Sequence, residues 1–254
     1  MIDVIQKVLK EQHVLSHQNE GVTLVTVHDT NSGYALAKEI LYALVDKKTA
    51  LYLSGGSTPK ALYEQLAKEG KLVPGAVGMV DERYGRKFHD KSNEKMITET
   101  DFIRYLKVAG VPFYPIIVGN QDREVASLRY DEQMRSWHAI FSQSIAILGL
   151  GVDGHTSTIA PNRNDFHNPF FDPEQQNLLV SDFDDATGSY GERVGMTFLG
   201  LSMQDVLLVL VFGKDKLHAL QEVFTDGSEE DVPGRFFKRP EIAKKTLFIT
   251  DQSL

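Results

Sequence analysis

Two residues after Asp153 the sequence carries His155, and both follow the apolar run SIAILGLG (144–151). Imidazole titrates near neutrality, about 6.5 when unperturbed, so His155 suits general-base work worth ~10²–10⁴ in rate. Asp153 is spaced to orient that ring or to stabilise its charged form. Many turn histidines only satisfy backbone groups. One at the carboxyl end of a buried strand, beside an Asp, is better placed for chemistry. Thr156, Ser157 and Thr158 follow and could cap a short helical turn. Two ligands are too few for a metal site, so no metal is expected.

The same stretch fits G-x-G-x-x-G at Gly149, Gly151 and Gly154. A dinucleotide loop needs its third glycine to lead into a full crossover helix, with an acidic residue about 20 positions on. Here Pro161 arrives too soon after Gly154 for that helix. A nicotinamide cofactor is therefore not expected. No G-x-S-x-G and no H-E-x-x-H occurs, which leaves serine-elbow acyl transfer and zincin chemistry unsupported.

Two further stretches could meet an anion. In LSGGSTPKALYEQL, a strand runs into Gly55, Gly56, Ser57, Thr58 and then a helix with Pro59 in its first turn. Ser57 or Thr58 could cap that helix, and its open N–H groups and positive dipole end would suit a phosphate. A capped turn with no ligand explains Ser-Thr-Pro equally well, but not the double glycine. In MVDERYG, Asp81 and Arg83 share one face of a strand and Glu82 takes the other. A carboxylate beside a guanidinium could handle a proton and an anion, or be an ordinary salt-bridged strand end. Ser92 or Asn93 could cap the helix that follows.

These residues need a scaffold that gathers strand ends. The pattern predicts strands at 22–27, 50–56, 76–83, 113–118, 144–151, 177–183, 205–213 and 246–251. Helices are expected at 31–47, 58–70 and 123–137. Pro115 makes 113–118 a short or edge strand. Continuous apolar runs such as LLVLVF suit a sheet buried on both faces, and the alternation of strands and helices suits an α/β fold with a mainly parallel sheet. In such sheets ligands bind beyond the carboxyl ends of the strands. Residues 54–59, 81–83 and 149–155 lie at such ends. Without a repeat or linker, residues 1–254 read as one domain. The polar stretch 162–177 reads as a long loop, and both Phe166–Phe171 and SDFDD (181–185) as solvated loop.

The 254-residue chain is 42% hydrophobic and 24% charged, with a formal charge of −8. That balance disfavours non-specific nucleic-acid binding. The chain has no cysteine, which excludes disulfides and thiolate chemistry. With no signal-like or membrane-length apolar segment, a soluble cytoplasmic protein is expected, as a monomer or small homo-oligomer, without nucleic-acid or membrane partners.

Together, SGGSTPKALYEQL, VDERYGRKFHDKSNEKM, LGLGVDGHTSTIAP and ERVGMTFLGLSMQDVLLVLVFGKDK, in that order from residue 54 to 216, resemble the 6-phosphogluconolactonase family. Its superfamily also holds the glucosamine-6-phosphate deaminases. The resemblance implies a three-layer, Rossmann-like α/β sandwich. It also implies hydrolysis of 6-phospho-D-glucono-1,5-lactone to 6-phosphogluconate, an ester-hydrolase step of the oxidative pentose phosphate pathway, without metal or cofactor. Residues 55–58 would then hold the phosphate with Arg193 and Lys216. His155 would activate water with Asp153 behind it, and Asp81 and Arg83 would line the sugar site. Arg193 also reads as a plain surface charge. Lys216 sits at a helix start, where a cation opposes the dipole unless an anion offsets it. Arg83 in place of Tyr, and the KSN that follows, separate the chain from the deaminases. The chain departs from the lactonases at Tyr84 and Gly85, where Val-Pro is usual. It departs again over Ser157–Pro161, where Ala160 replaces a Phe and predicts a wider pocket. A deaminase and a non-catalytic sugar-phosphate sensor are the alternatives.

Overall fold

The computed structural model describes residues 1–163, 177–185 and 191–254. Its strands are β1 (Ser16–Asn19), β2 (Val22–Thr26), β3 (Thr49–Leu53), β4 (Ala76–Met79), β5 (Asp81–Arg83), β6 (Gln143–Gly149), β7 (Val180–Asp185), β8 (Gly191–Met196), β9 (Val206–Val211) and β10 (Thr246–Thr250). Helices used below are α1 (Ile2–Glu11), α2 (Thr30–Leu44), α3 (Ser57–Glu69), α4 (Asn93–Glu99), α5 (Phe102–Val108), α6 (Arg123–Ile140), α7 (Phe198–Ser202) and α8 (Leu217–Val223).

Seven strands form one sheet in the order β1-β2-β10-β9-β6-β3-β4. All neighbours are parallel except the β1–β2 pair. Every residue of β3, β9 and β10 is buried, as their unbroken apolar runs require of a sheet covered on both faces. On α2, Tyr34, Ala37, Leu41 and Leu44 recur at helical spacing and are buried. Tyr34 meets Phe212 edge to face at 5.0 Å. α2 touches α1 and α3, and α3 touches α5. From α6, Trp137 packs on Tyr52 of β3 with ring centroids 5.5 Å apart. This is the expected α/β sandwich with a mainly parallel sheet.

The chain leaves β3 toward β4 on one side of the sheet and leaves β6 toward β9 on the other. The carboxyl ends of β3 and β6 therefore flank the topological switch point, where open α/β sheets form a crevice.

The run 76–83 is two strands in two sheets. Val80 donates its N–H to Leu53 of the parallel sheet at 2.8 Å, while its carbonyl accepts from Met196 of a second sheet at 2.9 Å. That second sheet is antiparallel, in the order β5-β8-β7. The expected strand at 177–183 belongs there, and SDFDD is its β7 ladder rather than a loop. The expected strand at 113–118 reduces to one bridge between Phe113 and Val77. The β4 edge is closed instead by the Tyr130 hydroxyl, which accepts from the Met79 N–H at 2.5 Å and donates to the Met79 carbonyl at 2.9 Å. Of the stretch 162–177, residues 164–176 lie outside the described residues, and Phe166–Phe171 with them. Among the described residues no helix is long and apolar enough to cross a membrane.

Candidate active site

A cavity of about 190 Å³ opens at the switch point. Its walls come from the loop after β3, the turn after β6, the inward face of β5 and β8, and the start of α8. All ten residues expected from the sequence are described, and nine of them line it; Asp153 reaches it through His155.

The loop after β3 is held from below. Tyr63 donates its hydroxyl to the Ser54 carbonyl at 2.9 Å and Tyr34 donates to the Thr58 carbonyl at 2.8 Å. Each such bond contributes about 1 kcal/mol and fixes the loop's height. Gly56, at φ +103°, is the N-cap of α3, and no side chain caps the helix. Neither Ser57 nor Thr58 takes the capping role expected of it, because both already lie within the first helical turn. The first-turn N–H groups therefore stay available to an anion.

After β6 the chain turns through Gly151 and back. His155 Nδ1 lies 2.6 Å from Asp153 Oδ1, and the His155 backbone N–H donates to the same oxygen at 3.2 Å. Burial raises the Asp153 carboxyl, but the hydrogen bonds and charge of His155 outweigh it and hold the carboxyl below its ordinary value. A Cβ at Gly151 would overlap the imidazole and the Asp153 carboxylate. The glycine that resembled a dinucleotide fingerprint thus makes room for a histidine ring. The turn over 156–159 closes as a bridge between Thr156 and Ile159, not as a helical turn, with Ser157 at φ +55°. That left-handed conformation is uncommon for a residue with a side chain.

The second sheet supplies side chains. Asp81 stands opposite Gly195 and Arg83 opposite Arg193, so Asp81, Arg83 and Arg193 share the inward face. Arg193 Nη2 donates to Asp81 Oδ2 at 2.7 Å, with both residues buried at 5% and 3% exposure. Arg193 is therefore no surface charge. Glu82 points the other way, as expected. Its carboxylate accepts from the N–H groups of Arg83, Asn93 and Glu94 and from the Ser92 hydroxyl. Burial pushes that carboxyl up, with those donors pulling against it. Ser92 caps α4 by accepting from the Lys95 N–H at 3.1 Å.

Among the described residues, Arg83 and Lys216 form no ion pair with a carboxylate, although both line the cavity. Burial, then the neighbouring Arg193 charge, lower the Arg83 pKa from its ordinary value, with the Asp81 and Glu82 charges pulling against them. Ser54 Oγ and Arg193 Nε are buried without a hydrogen-bond partner among the described residues. Both residues line the cavity, and a buried donor left without a partner calls for an explanation that an oxygen-rich ligand could supply.

The sequence placed Ser54 at a strand end and read Ser157 as a possible cap, but gave no cavity role to either or to Asn93. Asn93 was read as a cap; its position twelve residues beyond Asp81 gave no sign that α4 returns it beneath Gly55. The departures fall elsewhere. Tyr84 donates its hydroxyl to the Gln121 carbonyl at 2.9 Å, Gly85 lies against the His89 ring, and Ala160 is buried. None of the three lines the cavity. Among the described residues no three His, Asp or Glu side chains gather as a metal cluster.

An uncapped helix start, cations without carboxylate partners and an Asp–His pair thus meet at the switch point of an α/β sandwich. Residues 30–247 match the family described as glucosamine-6-phosphate isomerases/6-phosphogluconolactonase, and the chain belongs to that family. It is 32% identical to the 6-phosphogluconolactonase of Thermotoga maritima over 189 residues, covering 72% of this chain and 79% of that protein. It is 28% identical to the 6-phosphogluconolactonase of Rhizobium meliloti over 201 residues, covering 78% and 83% of the two chains. The fold is shared with the crystal structure of a 6-phosphogluconolactonase from Shewanella baltica at a TM-score of 0.74 and 18% identity. That match covers 92% of this chain and 99% of the other. The Plasmodium vivax 6-phosphogluconolactonase likewise matches at 0.74 and 18%, covering 98% and 96%.

Proposed function

We propose that this chain hydrolyses 6-phospho-D-glucono-1,5-lactone to 6-phosphogluconate, with His155 as the base that activates water. One observation carries this: the 2.6 Å Asp153–His155 pair opens on the same cavity as the uncapped start of α3 and the unpaired cations Arg83 and Lys216. The curated relatives named above are lactonases, and the chain is an ester hydrolase of that kind.

The Asp153 contact commits Nδ1–H of His155 and leaves the basic lone pair on Nε2, as assigned from that hydrogen bond. Water attacks the lactone carbonyl and gives its proton to Nε2. The tetrahedral intermediate collapses, the bond to the ring oxygen breaks, and the imidazolium returns the proton to that oxygen. The product is the open-chain acid, which gives its proton to solvent and leaves as the carboxylate. Asp153 steadies the transient imidazolium. Residues Gly55–Thr58, Arg193 and Lys216 take the phosphate, with the Arg83 cation on the same cavity adding to its attraction, and the phosphate's binding energy holds the carbonyl in place. Asp81 and Arg83 line the sugar. A lactone is already an activated ester, so one oriented base and a few donors suffice.

The test is the rate of loss of freshly made 6-phosphoglucono-δ-lactone, corrected for spontaneous hydrolysis. Turnover well above background is expected. Background rates would end this assignment, and ammonia released from glucosamine 6-phosphate would replace it with the deaminase.

A further inference from the structure

We propose that Asn93 is a positioning residue that sorts the charges of the cavity. It keeps Asp81 paired with Arg193 and leaves Arg83 as a cation for an anionic ligand, while its side chain sets the seat of Gly55. Nothing in the lactonase assignment requires this; it rests on that assignment only in taking the anion to be a phosphosugar.

Asn93 is the first residue of α4 and only 2% exposed. Its backbone N–H is fixed by Glu82 Oε1 at 2.7 Å. From there the side-chain amide reaches two partners of opposite sign. Nδ2 donates to the Asp81 carbonyl at 3.0 Å and to Asp81 Oδ2 at 3.1 Å. Oδ1 accepts from Arg83 Nη1 at 3.1 Å. The same Nη1 donates to the Lys91 carbonyl at 2.9 Å, and both of these acceptors are neutral. Asp81 and Arg83 share one strand face two residues apart, close enough to attract each other. The amide stands between them.

Only an amide does this. It is a donor at one end and an acceptor at the other, without charge. A carboxylate there would face Asp81 with like charge and would neutralise Arg83. An aliphatic residue would leave both groups short of a partner. The amide also fills the space beside Gly55: a Cβ on Gly55 would overlap its Oδ1 and Cγ. One side chain thus touches the phosphate-type loop, the buried ion pair and the free guanidinium.

The test compares Asn93→Asp with Asn93→Ala in the full chain. It measures inorganic phosphate affinity by titration, kcat and KM on the lactone, and thermal midpoint. If Asn93 were only a packing element, the isosteric Asp would be the milder change. Charge sorting predicts the reverse for phosphate: about 10-fold or more weaker binding in Asn93→Asp, because Arg83 is then paired, and a smaller loss in Asn93→Ala. KM should follow phosphate affinity in both, with kcat of Asn93→Asp changing less than KM. If Asn93→Ala does not fold, Asn93→Ser takes its place in the same ranking. Asn93→Asp binding phosphate within about twofold of the unaltered chain, or more tightly than the Ala or Ser variant, would overturn the proposal. So would an unaltered chain that binds no phosphate at millimolar concentration. An unaltered chain that binds phosphate without hydrolysing the lactone would end the lactonase assignment and leave the Asn93 ranking to decide this one.

Discussion

At the carboxyl ends of β3 and β6, the parallel sheet presents much of its contribution as backbone: Gly55, Gly56, Gly149, Gly151 and the open first turn of α3. The β5-β8-β7 sheet presents side chains: Asp81, Arg83 and Arg193 on one face. Geometry explains the contrast. A parallel strand must end in a crossover, and its last N–H groups and the next helix's first ones are left for a ligand. An antiparallel ladder consumes its backbone groups between strands and can offer only what alternates outward. His155 crosses the division. It is a side chain carried on a parallel-strand loop, and it gains the rigidity it needs from Asp153 rather than from a ladder.

If that division holds, its largest test is at the exception. His155→Ala should lower lactone turnover by ~10²–10⁴ while 6-phosphogluconate binding, measured by titration, stays near that of the unaltered chain. Parallel loss of binding would mean that the turn shapes the whole cavity instead of carrying one base. Next comes the antiparallel sheet. Arg193→Met leaves Asp81 buried without its cation, and urea unfolding should show about 3–5 kcal/mol of destabilisation. Adding Asp81→Leu should return much of that stability and none of the activity. If the single change is tolerated, the sheet is not held by its charges.

On the backbone side, Gly56→Ala forces a side chain onto φ +103° and should cost ~1–3 kcal/mol, with a raised KM. Ser57→Ala, at an exposed position in the same turn, should stay within about 0.5 kcal/mol and barely move KM. Equal effects would show that the loop works through a hydroxyl, contrary to the contrast drawn above. The smallest effect concerns acid. Asp153 is depressed below its ordinary value when folded, so its contribution is present above the unfolded carboxylate range and lost as pH falls through the folded value. The stability gap between the unaltered chain and Asp153→Asn, read from urea melts, should be full near pH 7 and close below about pH 4. A gap that widens in acid would reverse the assignment of which state binds the proton.

Much of this was legible in the residues. Unbroken runs such as VLLVLV read as strands buried on both faces, and Asp153-Gly-His155 at the end of such a run marked the pair proposed here for the base. Glycine punctuation, strand alternation and the Ser92 cap act over a few residues, which is why they can be read from a string of letters. The break at Val80 was not legible, because its N–H and carbonyl serve two sheets whose other strands lie more than a hundred residues away in one case. Arg193 read as a phosphate ligand or a surface charge, and not as the partner of Asp81, for the same reason: Asp81 is distant in sequence, and only the β5–β8 register brings the pair to 2.7 Å. Ser57 and Thr58 read as caps because local chemistry favours them there, yet the helix begins one residue earlier at Gly56 and leaves its N–H groups open.

The sequence by itself determined most strands of the parallel sheet, the α/β class and the Asp153-Gly-His155 turn proposed to carry the base, because periodicity and turn chemistry are local. The tertiary structure alone decided which charges are neutralised and which remain for a ligand. Whether Arg83 or Arg193 meets Asp81 depends on strand register and on an amide delivered by α4, and neither is written in the spacing of the residues concerned.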